Sequence, residues 1–241
     1  MLKSKYIIIL IIIIIVINNN YYYDNLSKNI NNIPNDSIFI IHNVFNNKIF
    51  QTIKNIILTN YNNNSFRHNN IIRNGSSISY QNIQNCNLNK ILKYILNSEL
   101  LNTIYKNTKI KANFIPKPDP NRISILVYDK PNDGIKWHYD GNPLYGNRWA
   151  CILTIVNKHN NSNKYSSAKF IYKKNNKEFE ISNPENSLVI FKGDKLLHKV
   201  SSIKKDETRI VVSLVLCDVC KYDMNPIKKI RNYVVNKSFY G

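Results

Sequence analysis

His138 and Asp140 stand two residues apart in Trp137-His138-Tyr139-Asp140. In an extended segment, side chains two apart project to the same side. An imidazole nitrogen and a carboxylate oxygen can then face one metal ion. His198 lies downstream in Leu196-Leu197-His198-Lys199-Val200, after the apolar run Ser187–Phe191 and the turn Lys192-Gly193-Asp194. Two imidazoles and one carboxylate on one face of an octahedron leave the other positions open. That donor set suits non-haem iron(II), which must admit O2 and a co-substrate. Zinc is the competing metal for the same donors. Taken singly, His-x-Asp is a surface loop and His198 a satisfied core or surface histidine.

Arg209 opens a second apolar run, Arg209-Ile-Val-Val-Ser213-Leu-Val-Leu216. A guanidinium at the start of such a strand is costly to bury without an anion. It grips a carboxylate through two parallel N–H bonds. An organic acid that chelates a metal at one end needs such a group at the other.

Taken in order, His-x-Asp, a strand pair, Gly193 five residues before His198, and an Arg leading an apolar strand resemble the 2-oxoglutarate- and iron(II)-dependent oxygenases, and most closely their prolyl 4-hydroxylase-like branch. The likeness covers about residues 120 to 217. It implies a double-stranded β-helix. It implies that His138, Asp140 and His198 are the catalytic iron ligands and that Arg209 pairs with the distal carboxylate of 2-oxoglutarate. Tyr128 matches a tyrosine that bonds the same carboxylate, or is a core aromatic. Thr154 is expected to line the co-substrate pocket, and Trp137 to wall the substrate cleft or to pack. The implied cofactors are Fe(II), 2-oxoglutarate and O2, with ascorbate as an optional reductant. Two departures stand out: Ser167-Ala168 replaces a Gly-Gly, and Asp206-Glu207 replaces a glycine in the loop before Arg209.

The implied reaction is hydroxylation of a prolyl or lysyl residue in a protein or peptide, with release of succinate and CO2. The alternatives are an AlkB-like nucleic-acid demethylase and a non-catalytic metal-binding β-barrel. The net charge of +19 motivates the first alternative, since basic proteins are drawn to polyanions. Its lysines are scattered, however, and Val215 stands where that family carries a second arginine. Nucleic acid is therefore not the expected partner.

The elements that must position these groups read as helices first and strands after. Apolar spacing predicts helices over Asn47–Leu58 and Leu88–Tyr105, the latter capped by Asn87. Ser37–Phe45 reads as a first strand, and residues 59–82 as polar loop. From Arg122 on, β-branched and aromatic runs at 122–128, 148–156, 169–173, 187–191 and 209–217 alternate with polar loops. The expected fold is mainly β with supporting helices (α+β), a jelly-roll core carrying amino-terminal helices.

Lys3 and Lys5 precede the apolar run Tyr6–Ile17, with three asparagines and three tyrosines beyond it. This reads as an uncleaved signal anchor over residues 1–20. A polar linker over 21–37 and a dioxygenase domain over 38–241 then follow, the domain lumenal in a secretory-type compartment. Cys217-Asp-Val-Cys220 reads as ordinary strand-end cysteines, with a local disulfide or redox pair the lesser expectation.

Overall fold

The computed structural model describes residues 2–117, 119–223, 225–226, 229–230 and 233. The end of the expected domain, 234–241, lies outside them.

Twelve strands form the sheet: β1 (Ile38–Ile41), β2 (Phe66–Asn69), β3 (Arg73–Ile78), β4 (Asn113–Phe114), β5 (Ile123–Tyr128), β6 (Gly134–His138), β7 (Arg148–His159), β8 (Phe170–Lys174), β9 (Lys177–Ile181), β10 (Leu188–Lys192), β11 (His198–Val200) and β12 (Glu207–Cys217). Their order is β1-β10-β7-β12-β5-β3-β6-β11-β8-β9, with antiparallel pairing throughout. The sheet rolls over on itself, which brings β6, β11 and β8 opposite β10, β7 and β12. This is a double-stranded β-helix.

Period-two alternation sorts the residues of the long strands. On β12, Ile210, Val212 and Leu214 join the cluster under the helices, while Arg209, Val211 and Ser213 face the interior cavity. On β7, Trp149, Cys151 and Leu153 point to the helices, and Arg148, Ala150 and Ile152 to the cavity. Both faces of these strands are buried. That explains why they read as unbroken apolar runs rather than alternating ones.

Helix α2 (Asn47–Asn64) covers the outer face with Phe50, Ile53 and Ile57. The expected helix over 88–105 is broken. A 3-10 turn (Asn87–Ile91) leads into the short helix Leu92–Ile95, and a separate helix spans Ser98–Thr108. Asn97 makes the break: its backbone is extended, and its side chain accepts from Leu100 N at 2.9 Å, capping the later helix. The expected loop at 59–82 is also corrected. It contains β2 and β3, and β3 pairs with both β5 and β6 in the middle of the sheet.

The amino terminus departs most from expectation. Helix α1 runs Leu2–Ile30, so the first ten residues of the expected linker are helical. Among the described residues, no helix is long and apolar enough to cross a membrane. The apolar run ends at Ile17, short of the roughly 20 residues a span needs. The carboxyl end of α1 is instead held beside the sheet, by Asp218 just past β12 and Lys111 just before β4. Ser27 Oγ donates to Asp218 Oδ2 at 2.8 Å, and Asn31 Nδ2 to Lys111 O at 2.8 Å. The membrane anchor and the lumenal placement that followed from it are thus both corrected. Cys217 and Cys220 form a disulfide, which overturns their reading as ordinary strand-end residues.

Candidate metal centre

His138 ends β6 and His198 opens β11, directly opposite each other in register. Two residues further along β11, Val200 pairs with Ile135, three residues before His138. The extra residue on β6 makes a bulge, and a bulge re-aims the side chains beyond it. Ile135 and His138 therefore both face the cavity although they are three apart. Trp137 turns to the outer face, where the Lys199 and Lys173 ammonium groups lie 4.3 and 4.8 Å from its ring centre. It packs there and does not wall the cavity. Asp140 follows the end of β6 and is tied to the turn after β10 by its N–H, which donates to Gly193 O at 2.9 Å.

The three side chains converge. Each of His138, Asp140 and His198 offers a ligand atom within 4.8 Å of the other two. Asp140 Oδ1 lies 3.6 Å from His138 Nε2 and 3.9 Å from His198 Nε2. Each imidazole places Nδ1 2.8 Å from a backbone carbonyl, that of Lys136 for His138 and that of Leu196 for His198. A carbonyl only accepts, so Nδ1 carries the proton and Nε2 presents its lone pair to the common centre. Phe170 and Phe191 flank the His198 ring, with centroids at 5.5 and 4.7 Å. Burial pushes the His198 pKa down to about 4, and the neighbouring His138 adds to the effect. A neutral imidazole is the form that ligates.

Arg148 was not anticipated. It heads β7, is buried, and donates from Nη1 to Asp140 Oδ2 at 2.7 Å. Burial alone would raise the Asp140 pKa, but Arg148 and the two imidazoles outweigh it and hold the carboxyl at about 2. Gly193 supplies a second support. A Cβ there would lie 2.0 Å from Asp140 Oδ2, so only glycine leaves room for the carboxylate.

The far end of the cavity is polar. Arg209 and Tyr128 are paired in register on β12 and β5, both about 1% exposed, with the guanidinium carbon 5.7 Å from the ring centre. Arg209 Nε and Nη2 and the Tyr128 hydroxyl have no hydrogen-bond partner among the described residues. Buried donors are otherwise almost always satisfied. Their orphaned state therefore marks a place for an anion that accepts several bonds. Burial depresses the Arg209 pKa and raises that of Tyr128. Arg73 from β3 lines the same cavity. Thr154 lies deeper along β7, is fully buried, and is not among the cavity-lining residues, which include Ala150 and Ile152 from that strand.

The two departures in the loops meet. Ser167 donates from N and Oγ to Glu207 at 2.9 and 2.6 Å, and Lys204 N to Glu207 Oε2 at 2.7 Å. Asp206 adopts φ +62°, the left-handed region that a glycine would otherwise supply. A carboxylate-centred network thus closes a loop elsewhere closed by glycines.

The donors fit the groups that the fold implies. Two Nε2 lone pairs and one carboxylate oxygen form a 2-His-1-carboxylate set for iron(II). The unpartnered Arg209 and Tyr128 groups suit the far carboxylate of 2-oxoglutarate.

No protein-family profile matches the sequence, and no curated protein matches it at a significant level. Solved structures do match. A prolyl hydroxylase from Trichoplax adhaerens, in complex with a hypoxia inducible factor peptide fragment, aligns over 90% of this chain and 94% of its own, with a TM-score of 0.56 and 14% identity. A 2OG-Fe(II) oxygenase family oxidoreductase from Burkholderia pseudomallei aligns over 78% and 88%, with a TM-score of 0.60 and 8% identity. The alpha-ketoglutarate-dependent epimerase SnoN aligns over 76% and 77%, with a TM-score of 0.56 and 8% identity. At these identities the likeness is one of architecture: this chain has the double-stranded β-helix fold of these 2-oxoglutarate- and iron(II)-dependent enzymes.

Proposed function

We propose that the chain is an Fe(II)- and 2-oxoglutarate-dependent dioxygenase that hydroxylates a prolyl or lysyl residue of a protein or peptide. Residues 38–241 are its catalytic domain, with the core over about 120–217. One observation carries the reading. Three ligand atoms within 4.8 Å of one another share a cavity with a buried arginine that has unpartnered donors.

His138, Asp140 and His198 would hold the iron, and Arg209 with Tyr128 the far carboxylate of the co-substrate. When bound, iron with 2-oxoglutarate and O2 supplies the oxidising power, with succinate and CO2 as the products of the co-substrate. The protein's part is positional and electrostatic. The carbonyls of Lys136 and Leu196 keep both Nε2 atoms unprotonated toward the centre. Arg148 keeps Asp140 ionised and leaves Oδ1 free to ligate. Ile135, Phe170, Phe191 and Val200 make the cavity walls apolar, which limits water at the reacting centre.

A second cleft with a polar lining is present, as a bound peptide would require. Asn31, Asn35, Asn142, Asn147 and Asp194 line it, and Asp194 follows Gly193, whose backbone carbonyl accepts from Asp140 N at 2.9 Å. The fold-mate from Trichoplax adhaerens carries a peptide.

The test is succinate release with Fe(II) and 2-oxoglutarate over prolyl peptides, lysyl peptides and methylated DNA. Turnover on a peptide, abolished by His138→Ala, is the expected result. Turnover on DNA alone would move the chain to the demethylase class. Absence of both turnover and iron binding would leave a non-catalytic barrel.

A further inference from the structure

Asp140 and Arg148 are the two ends of one loop, closed by the bond between their side chains. The segment 217–223, which ends β12 and continues past it, lies along that loop. Cys217 faces Arg148 in register across β12 and β7. Asp218 accepts twice from Asn147, at Oδ1 from N at 2.8 Å and at Oδ2 from Nδ2 at 2.7 Å. Tyr145 N donates to Lys221 O at 3.0 Å, and Asp223 N to Pro143 O at 2.8 Å. Gly146 lets the two segments touch, since a Cβ there would lie 2.7 Å from Val219 Cβ and 2.9 Å from Val219 N. Ser27 Oγ bonds both Asp218 Oδ2 and Asn147 Nδ2, at 2.8 and 2.7 Å, so α1 is fastened to the same carboxylate.

The Cys217–Cys220 disulfide closes the first turn of this segment and encloses Asp218 and Val219. A loop so short constrains the unfolded chain far less than a long one. Its effect is therefore local, on the residues that it encloses. Cys217 is fully buried and Cys220 half-buried, so a thiolate from solution reaches the pair at Cys220. Reduction by a dithiol is balanced there. One thiolate of the dithiol attacks Cys220 Sγ, the S–S bond breaks, and Cys217 leaves as a thiolate that takes up a proton. The second thiol of the reductant then displaces Cys220, which also leaves as a thiol, and the reductant keeps the disulfide. The two thiols need a van der Waals separation that bonded sulfurs do not. Cys217 is paired on both sides, with β4 and β7, so the turn that carries Asp218 is the part that yields.

We infer that Cys217–Cys220 is a redox switch on the metal centre. The disulfide holds Asp218 against Asn147, and with it the Arg148–Asp140 pair in the geometry that ligates; reduction releases this hold. Asp218 is thereby a positioning residue that acts through Asn147 and Arg148. The effect on iron rests on the oxygenase reading of the site, whereas the movement of the loop does not.

Full-length protein is compared with its disulfide intact and after reduction by dithiothreitol, both freed of reductant and kept anaerobic. Amide hydrogen exchange on the metal-free protein reads the movement, and titration with Mn(II) reads its effect. Reduction is expected to speed exchange at Tyr145 and Asn147 severalfold and to weaken Mn(II) binding by about tenfold, the loss typical of a group that orients a metal ligand. The melting temperature of the metal-free protein should stay within about 3 °C. The double variant Cys217→Ser, Cys220→Ser is expected to match the reduced protein and to ignore dithiothreitol. Asp218→Ala, with the disulfide intact, is expected to lose Mn(II) affinity by a similar factor. Unchanged exchange on reduction would overturn the switch, as would unchanged affinity in a protein that binds Mn(II). So would a response to dithiothreitol that persists in the double variant, or wild-type affinity in Asp218→Ala. A large fall in melting temperature would make the disulfide structural and overturn it too. Should the variants fail to fold, oxidised and reduced wild type decide alone. Faster exchange in a protein that binds no Mn(II) in either state would instead overturn the oxygenase reading and leave the loop movement standing.

Discussion

Arg148 donates to Oδ2 of Asp140 at 2.7 Å, and this leaves Oδ1 turned toward the Nε2 atoms of both His138 and His198. One carboxylate is thereby divided between a cation supplied by the protein and the position where a metal would sit. The division explains why a largely buried carboxyl stays ionised, and it makes Arg148 a positioning residue for the proposed iron ligand.

Arg148→Gln should therefore retain the fold and lower iron affinity by about ten- to a hundredfold, the usual cost of losing a group that orients a metal ligand. Competitive metal titration against a chelator measures it. An affinity equal to wild type would show that Asp140 needs no such support.

Gly193→Ala should act on the same carboxylate sterically. The new Cβ would fall 2.0 Å from Asp140 Oδ2 and 2.7 Å from its Cγ. A carboxylate at the end of a side chain can move aside, so the melting temperature should change little while metal binding is lost. Thermal melts with and without added metal separate the two effects. Metal-induced stabilisation as large as in wild type would refute the steric account.

Tyr128→Phe removes a hydroxyl that has no partner among the described residues. Deleting an unsatisfied buried polar group is neutral or stabilising for the free protein. The same change should weaken 2-oxoglutarate by about five- to tenfold, the worth of one hydrogen bond to a charged group. A marked loss of stability in the free protein would mean that the hydroxyl has a structural bond.

The metal-free protein should lose stability in mild acid. The folded-state pKa of His198 is about 4, below the ordinary value of about 6.5. Between those values the unfolded chain binds the proton and the folded chain does not. The stabilisation is thus complete above about pH 6.5 and lost as pH falls toward 4. From pH 7 to 5 this one group accounts for on the order of 2 kcal/mol. That is about 5 °C in melting temperature for a chain of this length. His198→Gln should flatten that part of the profile. An unchanged slope in the variant would assign the acid sensitivity elsewhere, with His68, also held at about 4 mainly by burial, the next group to examine.

The site residues were legible in the sequence to the extent that chemistry is written in residue type and order. His138 ends a strand and His198 opens one, Asp140 follows two residues after β6, and Arg209 stands near the start of β12. The apolar run that carries Arg209 is long enough to show its burial, whereas β6 and β11, which carry the histidines, are short and were not read from the sequence. Tyr128 was legible through its distance from His138, whereas Thr154 had the same kind of support and lies outside the cavity lining. The helix break at Asn97 was missed because a capping side chain interrupts an apolar stripe without interrupting its spacing. The amino-terminal segment misled for a related reason. Composition described its first half, while its last turn is held by bonds to Asp218 and Lys111, about 190 and 80 positions away.

By itself the sequence determined the donor types, the six strands β1, β5, β7, β8, β10 and β12, and helix α2, because these depend on local side-chain chemistry and on periods of two and 3.6 residues. Only the tertiary structure decided that Arg148 and Gly193 support Asp140, that a bulge turns His138 inward, and that Arg73 shares the cavity with Arg209. Each of these is a meeting of residues set by sheet register and closure. Register depends on long-range backbone pairing, and no local run of side chains records it.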